Sequence, residues 1–178
     1  DLDAVVPDKN GNIWFTTSQA VAGAVIPGNP AKVVWIDLND PNFTGRRLPQ
    51  SDGAFQEIYN SHAVDEGDGN TDSSGVYIVT THRIYRLGLG KDGIPAIAWS
   101  SDYDRGIVQK SGQVSQGSGT TPTIFRMDNR RFVTIADNAR HMNVNVYRAE
   151  TFLNPGEERL FAQATPFGQN EAVSDENS

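Results

Sequence analysis

The sequence contains no cysteine. Disulfides, thiolate-ligated metals and cysteine nucleophiles are therefore excluded, and stability has to come from packing and hydrogen bonds. Long apolar runs are missing too: nothing approaches the roughly 18 residues that a membrane-crossing helix needs. No extended window carries a helical hydrophobic period, and "AETFLNPGEERLF" (149–161) has room for one helical turn at most. Helix is expected in less than about 10% of the chain, far below the usual third. Positive charge is the minority sign, with 15 Lys and Arg against 22 Asp and Glu and a net charge of -7. A surface of that sign repels phosphate backbones, so nucleic acid is not an expected partner, and neither is a membrane. The nucleophile elbow GxSxG and the zinc signature HExxH are absent, and no Gly-rich stretch opens a helical period as a dinucleotide fingerprint requires. Serine hydrolase, zinc protease and NAD enzyme are thereby disfavoured.

The chain starts on Asp1 with no Met and no charged-then-apolar leader, so a processed or fragmentary start is expected. The lack of cysteine is compatible with a secreted or periplasmic protein stabilised by its sheets.

What the sequence does have is punctuation. Seventeen glycines and nine prolines separate short runs rich in Val, Ile, Thr, Tyr and Phe. Such runs read as strands. They also recur in order. "DLDAVVPDKNGNIWFTTS" (1–18), "NSHAVDEG…SSGVYIVTTH" (60–82) and "TTPTIFRMDNRRFVTIADN" (120–138) each give an apolar run, a polar turn, a second apolar run and a polar close. A third strand follows in each, at "AVAGAVI" (20–26), "RIYRLGL" (83–89) and "MNVNVYRA" (142–149). A fourth follows at "KVVWIDL" (32–38) and "AIAWSSDY" (96–103), each with a central Trp, and less clearly at "RLFAQATPF" (159–167). Asp1, Asn60 and Thr120 then stand 59 and 60 residues apart.

Tandem four-stranded antiparallel units read as a β-propeller, because one twisted sheet cannot bury both of its faces alone. The expected blades are about 1–50, 57–108 and 117–168, with 169–178 as the start of a further blade. In the first, strands are expected near 3–7, 12–17, 20–26 and 32–37. The expected fold class is all-β, about three four-stranded antiparallel blades of a larger propeller. The remaining blades are the expected partner, supplied by the same parent protein or by a second chain.

"SQGSGTTPTIF" (115–125) has the glycines and hydroxyls of a phosphate cradle. A phosphate loop requires a helix behind it and a Lys after its glycines. Here a strand follows, so the stretch reads as the connection between the second and third blades.

In a propeller blade the start of the first strand and the end of the second lie at the same mouth of the channel. The repeat collects there, from strand starts, Asp1, Asp3, Asn60, His62, Thr120, Thr121, Glu176 and Asn177. Strand ends add Ser18, His82, Asp137 and Asn138, and His141 sits in the adjoining connection. Oxygen-rich sets of this kind favour Ca²⁺ or Mg²⁺. Asp1, Asp3, Asn60 and Asp137 are the candidate metal ligands. His62 and Asp137 are the candidate catalytic pair. Asn60, His82, Thr120, Thr121, Asn138, His141, Glu176 and Asn177 are candidates to hold a small molecule or sugar. Asp and Asn at strand ends also cap turns without further function. "DEGDGNTDSSG" (65–75) alternates Asp65, Asp68, Asn70 and Asp72 with glycine as calcium loops do, but lacks the bidentate Glu of an EF-hand. "RMDNRR" (126–131) reads as a basic surface turn at the opposite end from the mouth.

"VVPDKNGNIWFTTS" resembles the repeat of streptogramin lyases and of NHL and gluconolactonase-like propellers. "NSHAV…GVYIVTTHRIYRL" and "GQVSQGSGTTPT…FVTIADNARHMNVNVYR" resemble secreted bacterial and fungal quinoprotein-like propellers. The resemblance implies six to eight blades and a channel cation that polarises a carbonyl or stabilises an enolate while a histidine moves the proton. The repeat "AxDxxTGKxxW" and the Cys–Cys pair of pyrroloquinoline-quinone dehydrogenases are missing, so that cofactor is not expected. A divalent-cation-assisted lyase or hydrolase and a non-catalytic ligand- or protein-binding propeller are the functions that follow.

Overall fold

The computed structural model describes residues 1–40, 55–69 and 72–168. Glu176, Asn177 and the expected start of a further blade lie outside the described residues, as does Asn70. Twelve strands run in chain order: β1 (Leu2–Pro7), β2 (Ile13–Thr17), β3 (Val21–Ile26), β4 (Lys32–Asp37), β5 (Ala63–Asp65), β6 (Gly75–Val79), β7 (Arg83–Leu89), β8 (Pro95–Asp102), β9 (Thr123–Met127), β10 (Arg130–Ala136), β11 (Val144–Arg148) and β12 (Leu160–Ala164). They form three four-stranded sheets, each a meander in sequence order. All neighbouring strands are antiparallel. No helix occurs among the described residues, and none is therefore long and apolar enough to cross a membrane. The architecture is all-β and compatible with successive propeller blades.

Local chemistry explains the hairpins. Between β1 and β2, the Asp8 carboxylate accepts the N–H groups of Asn10 and Asn12 at 2.9 and 3.0 Å, and Gly11 supplies a positive φ of 81°. Between β9 and β10, Asp128 and Asn129 both take positive φ, at 49° and 62°, as the loop with the favoured twist for a two-residue hairpin requires. The basic turn expected at 126–131 is thus confirmed in position. Its last residue is not on the surface, however: Arg131 is buried.

The middle sheet explains the stacking. Every residue of β6 is buried, so neither of its faces meets water. Side chains alternate across a strand. Val76, Ile78, Tyr85 and Leu87 pack with Trp14, Ala22, Ala24 and Val34 of the first sheet. Tyr77, Val79, Ile84 and Trp99 pack with Val133, Ile135 and Tyr147 of the third. Each fully buried aliphatic side chain contributes about 1.5–3 kcal/mol, which makes the two seams the main cohesive element of the molecule. The tryptophans that the repeat aligned do not face the same way. Trp99 enters the second seam. Trp35 lies opposite Gly23, as Phe15 does, on the outward face of the first sheet. Gly23 is required there, because a Cβ would stand 2.4 Å from the Phe15 ring.

The 20-residue stretch between β8 and β9, which contains "GSGTT", is an ordered connection without strand or helix. Tyr103 pins both of its ends. Its hydroxyl donates to the Thr80 carbonyl at 2.6 Å and accepts the Ser118 N–H at 2.9 Å. A Cβ on Gly117 would stand 2.9 Å from that hydroxyl, which accounts for the glycine.

Candidate functional site: the mouth between the first strands

Second strands end alike in the three sheets. The last residues paired to the third strand are Thr16, Val79 and Ala136. The next residue caps the turn in each case. Thr17 Oγ1 accepts the Val21 N–H at 3.2 Å, Thr80 Oγ1 accepts that of Arg83 at 3.0 Å, and Asp137 Oδ1 accepts that of Asn143 at 2.8 Å. Ser18, His82 and Asn138, grouped with Asp137 by sequence, lie inside these turns rather than on the strands.

Asp137 does more than cap. Its carboxylate also accepts the Ala139 N–H at 3.1 Å and the side-chain amides of Asn143 and Asn145 at 2.8 and 3.2 Å. It is fully buried. Its oxygens are therefore already surrounded by donors from its own sheet. Asn138, equally buried, ties down the connection after β8: its Nδ2 donates to the Arg105 carbonyl at 2.9 Å and its Oδ1 accepts Gln113 Nε2 at 2.8 Å. Thr120 is buried, accepts the Ala136 N–H at 3.1 Å and meets Ser118 Oγ at 2.9 Å.

His82 is half-buried between Thr81 Oγ1 at 3.0 Å and Arg105 Nη1 at 2.8 Å. A guanidinium can only donate, so Nε2 is the acceptor and Nδ1 carries the proton in the neutral ring. His62 lies 4% exposed, with Nδ1 3.4 Å from Thr16 Oγ1. Its Nε2 is buried and has no hydrogen-bond partner among the described residues. Burial pushes its pKa down to about 4, so the ring is neutral at ordinary pH.

The accessible part of the mouth is elsewhere. Asn60 Nδ2 reaches the Ser118 carbonyl at 3.3 Å and bridges the approaches to β5 and β9. Beside this bridge lies a shallow depression of about 10 Å³, room for about one water molecule and continuous with solvent, lined by Tyr59, Asn60, Gln113, Val114, Ser115 and the 117–119 turn. Its polar groups are amides, hydroxyls and a phenol. Burial together with the neighbouring Glu57 and Asp3 carboxylates pushes Tyr59 up to about 12, so it remains a neutral donor.

Contacts thus link Asn60, Thr120, Asp137, Asn138 and His82 in one region, with Thr121 half-buried beside Thr120 and His141 half-buried in the β10–β11 connection. Asp1 and Asp3 are exposed, with the Asp1 amine 3.2 Å from Ser18 Oγ. Among the described residues no three His, Asp or Glu side chains come together to hold a metal ion.

The acidic 65–75 loop has a different use from the calcium loop it resembles. Arg131 of the third sheet ion-pairs with both Asp65 and Asp72, and Arg86 reaches Asp65 at 3.4 Å, all four side chains being buried. Burial alone would raise the Asp65 pKa. The Gly67 N–H and the Arg131 charge outweigh it and hold the carboxyl below its usual value.

Tyr59, Tyr103, Arg105 and Gln113 are the participants that sequence reading missed. They lie in connections that differ in length from sheet to sheet, where a repeat comparison has no counterpart to align.

No protein-family model matches the chain. An uncharacterized protein of Archaeoglobus fulgidus is 28% identical over 138 residues, which is 78% of this chain and 23% of that protein. The chain therefore spans less than a quarter of the length of the relative it matches.

Proposed function

We propose that the chain is a non-catalytic binding unit of propeller type that holds a small, uncharged polyhydroxyl ligand such as a sugar against the mouth surface around this depression. The observation that carries this reading is the division of labour at the mouth. Asp137, Asn138 and Thr120 are buried in turns and connections, while Tyr59, Asn60, Gln113 and Ser115 line the depression that solvent reaches, where the Asn60 and Gln113 side-chain amides are held in place by the Ser118 carbonyl and Asn138 Oδ1. Neutral amide and hydroxyl groups orient hydroxyl-bearing ligands by hydrogen bonds without demanding a charge. A secreted or periplasmic setting belongs to the same proposal, as do the resemblances to NHL and quinoprotein-like propellers.

The cation-assisted lyase or hydrolase suggested by the streptogramin lyase resemblance has one observation on its side. His62 is a neutral imidazole whose Nε2 has no hydrogen-bond partner among the described residues and can accept a proton in the tautomer that carries hydrogen on Nδ1.

Calorimetric titration with a panel of neutral mono- and disaccharides tests the binding reading. Saturable binding that Asn60→Ala weakens at least about tenfold, a loss of about 1.4 kcal/mol, is expected. Binding indifferent to Asn60→Ala and to Gln113→Ala, or no binding across the panel, contradicts it. Activity abolished by His62→Gln would move the assignment to the lyase or hydrolase.

A further inference from the structure

The two seams share a polar latch that both outward faces lack. At the first seam Asp8 accepts Trp14 Nε1 of its own sheet at 3.1 Å and Ser74 Oγ of the next sheet at 3.2 Å. At the second seam Asp65 accepts the Tyr77 hydroxyl of its own sheet at 2.9 Å and Arg131 Nη1 of the next sheet at 2.6 Å. The strand register makes these positions equivalent. Trp14 lies opposite Val6 and Tyr77 opposite Ala63, and the aspartate follows two residues later in both. Ser74 and Arg131 each precede by two residues a valine that faces the seam, Val76 and Val133.

On the outward face of the first sheet the donor position falls on Gly11, two residues before Ile13, which has no side chain to offer. On the outward face of the third sheet Thr134 stands in place of the aromatic donor, opposite Thr123, and Phe125 in place of the aspartate. Phe125, Phe132 and Phe161 cluster there instead, with ring centroids 5.5 and 4.8 Å apart.

The outward face of the first sheet is nevertheless built like a seam. Val5, Phe15, Val25, Val33 and Trp35 share it with Ile13 by register. Val5 is 52% and Val33 59% exposed. An apolar sheet face of that extent is one that folded proteins cover.

We propose that in the complete polypeptide this face is covered by a further four-stranded sheet of the same repeat, and that the covering face is apolar and free of the latch carboxylate. A latch aspartate arriving opposite Gly11 would lose its cross-seam donor and keep only the donors of its own sheet, as Asp8 has from Asn10, Asn12 and Trp14. On the outward face of the third sheet the latch position itself holds Phe125 rather than a carboxylate, although Arg130 and Arg148 of that face ion-pair with Glu157. Additional length to supply the sheet exists in proteins of this kind, since the matched stretch is 23% of the Archaeoglobus fulgidus relative. The proposal is independent of the ligand reading.

The absence of cysteine in these 178 residues makes a thiol-accessibility test clean. Val33→Cys is introduced into the complete native polypeptide, with Ile107→Cys, 96% exposed, as the open reference. Maleimide labelling of each site is quantified by peptide mass, alongside sedimentation. Val33→Cys is expected to label at least roughly tenfold more slowly than Ile107→Cys in a species of monomer mass. Equal rates would show an open face and overturn the proposal. Protection only in a species of dimer mass would make a second copy the occupant and also overturn it. Should Val33→Cys fail to fold, Val5→Cys on the same face carries the same test.

Discussion

Asp137 of the third sheet and Thr80 of the second occupy the same turn position, each offering a side-chain oxygen to the N–H at the turn's exit, Asn143 at 2.8 Å and Arg83 at 3.0 Å. The difference between them is how much else depends on the oxygen. Asp137 also holds two asparagine side chains, whereas the Thr80 hydroxyl reaches Gln56 Oε1 at 2.7 Å. Asp137→Ala leaves several buried donors unsatisfied and is expected to cost about 3–4 kcal/mol, against about 1–2 kcal/mol for Thr80→Ala. Urea unfolding of both variants measures the difference, and equal losses would place the two residues on the same footing.

His62 sets an acid limit on stability. Its folded pKa is lowered from 6.5 to about 4, so the unfolded chain takes up the proton first as pH falls. Stability should therefore be independent of this group above pH 6.5 and decline by about 3 kcal/mol on the way down to pH 4. Unfolding free energy measured across that range should flatten in His62→Gln.

The second seam should fail at lower pH. The Asp65 carboxyl sits below its ordinary 3.8, so its contribution is complete above that value and is lost as pH falls through the depressed folded pKa. Arg131→Ala removes the cation that both Asp65 and Asp72 face, and should cost about 3–5 kcal/mol at neutral pH. Because the groups are buried, 0.5 M salt should change the loss little, which denaturation with and without salt can read.

Asn138 governs one connection and not the sheets. Asn138→Ala frees the Arg105 carbonyl and Gln113 Nε2, so amide exchange should speed up across 105–116 while β6 and β10 keep their protection. Uniform acceleration over all three sheets would give Asn138 a global role instead.

The sheets were legible because hairpin chemistry is local. "NGN" sets the β1–β2 turn and the alternation after it fixes β2, so the expected 12–17 became Ile13–Thr17. The strand ends were misphased by a residue or two. "TTS", "TTH" and "ADN" align as letters, whereas pairing places Thr17, Thr80 and Asp137 together because the turns behind them differ in length. The fate of the acidic loop was not legible at all. Asp65 and Asp72 meet Arg131 only after the chain has built another sheet, and no local pattern encodes that meeting.

The account rests on the mouth carboxylate being a structural acceptor rather than a metal ligand. An NMR titration with CaCl₂, then MgCl₂, observing the Ala139 and Asn143 amides that Asp137 accepts, tests this most directly. Those resonances are expected to stay in place up to about 1 mM cation, the weak end of protein calcium sites. Saturable shifts there at lower concentration, abolished in Asp137→Asn, would contradict the account.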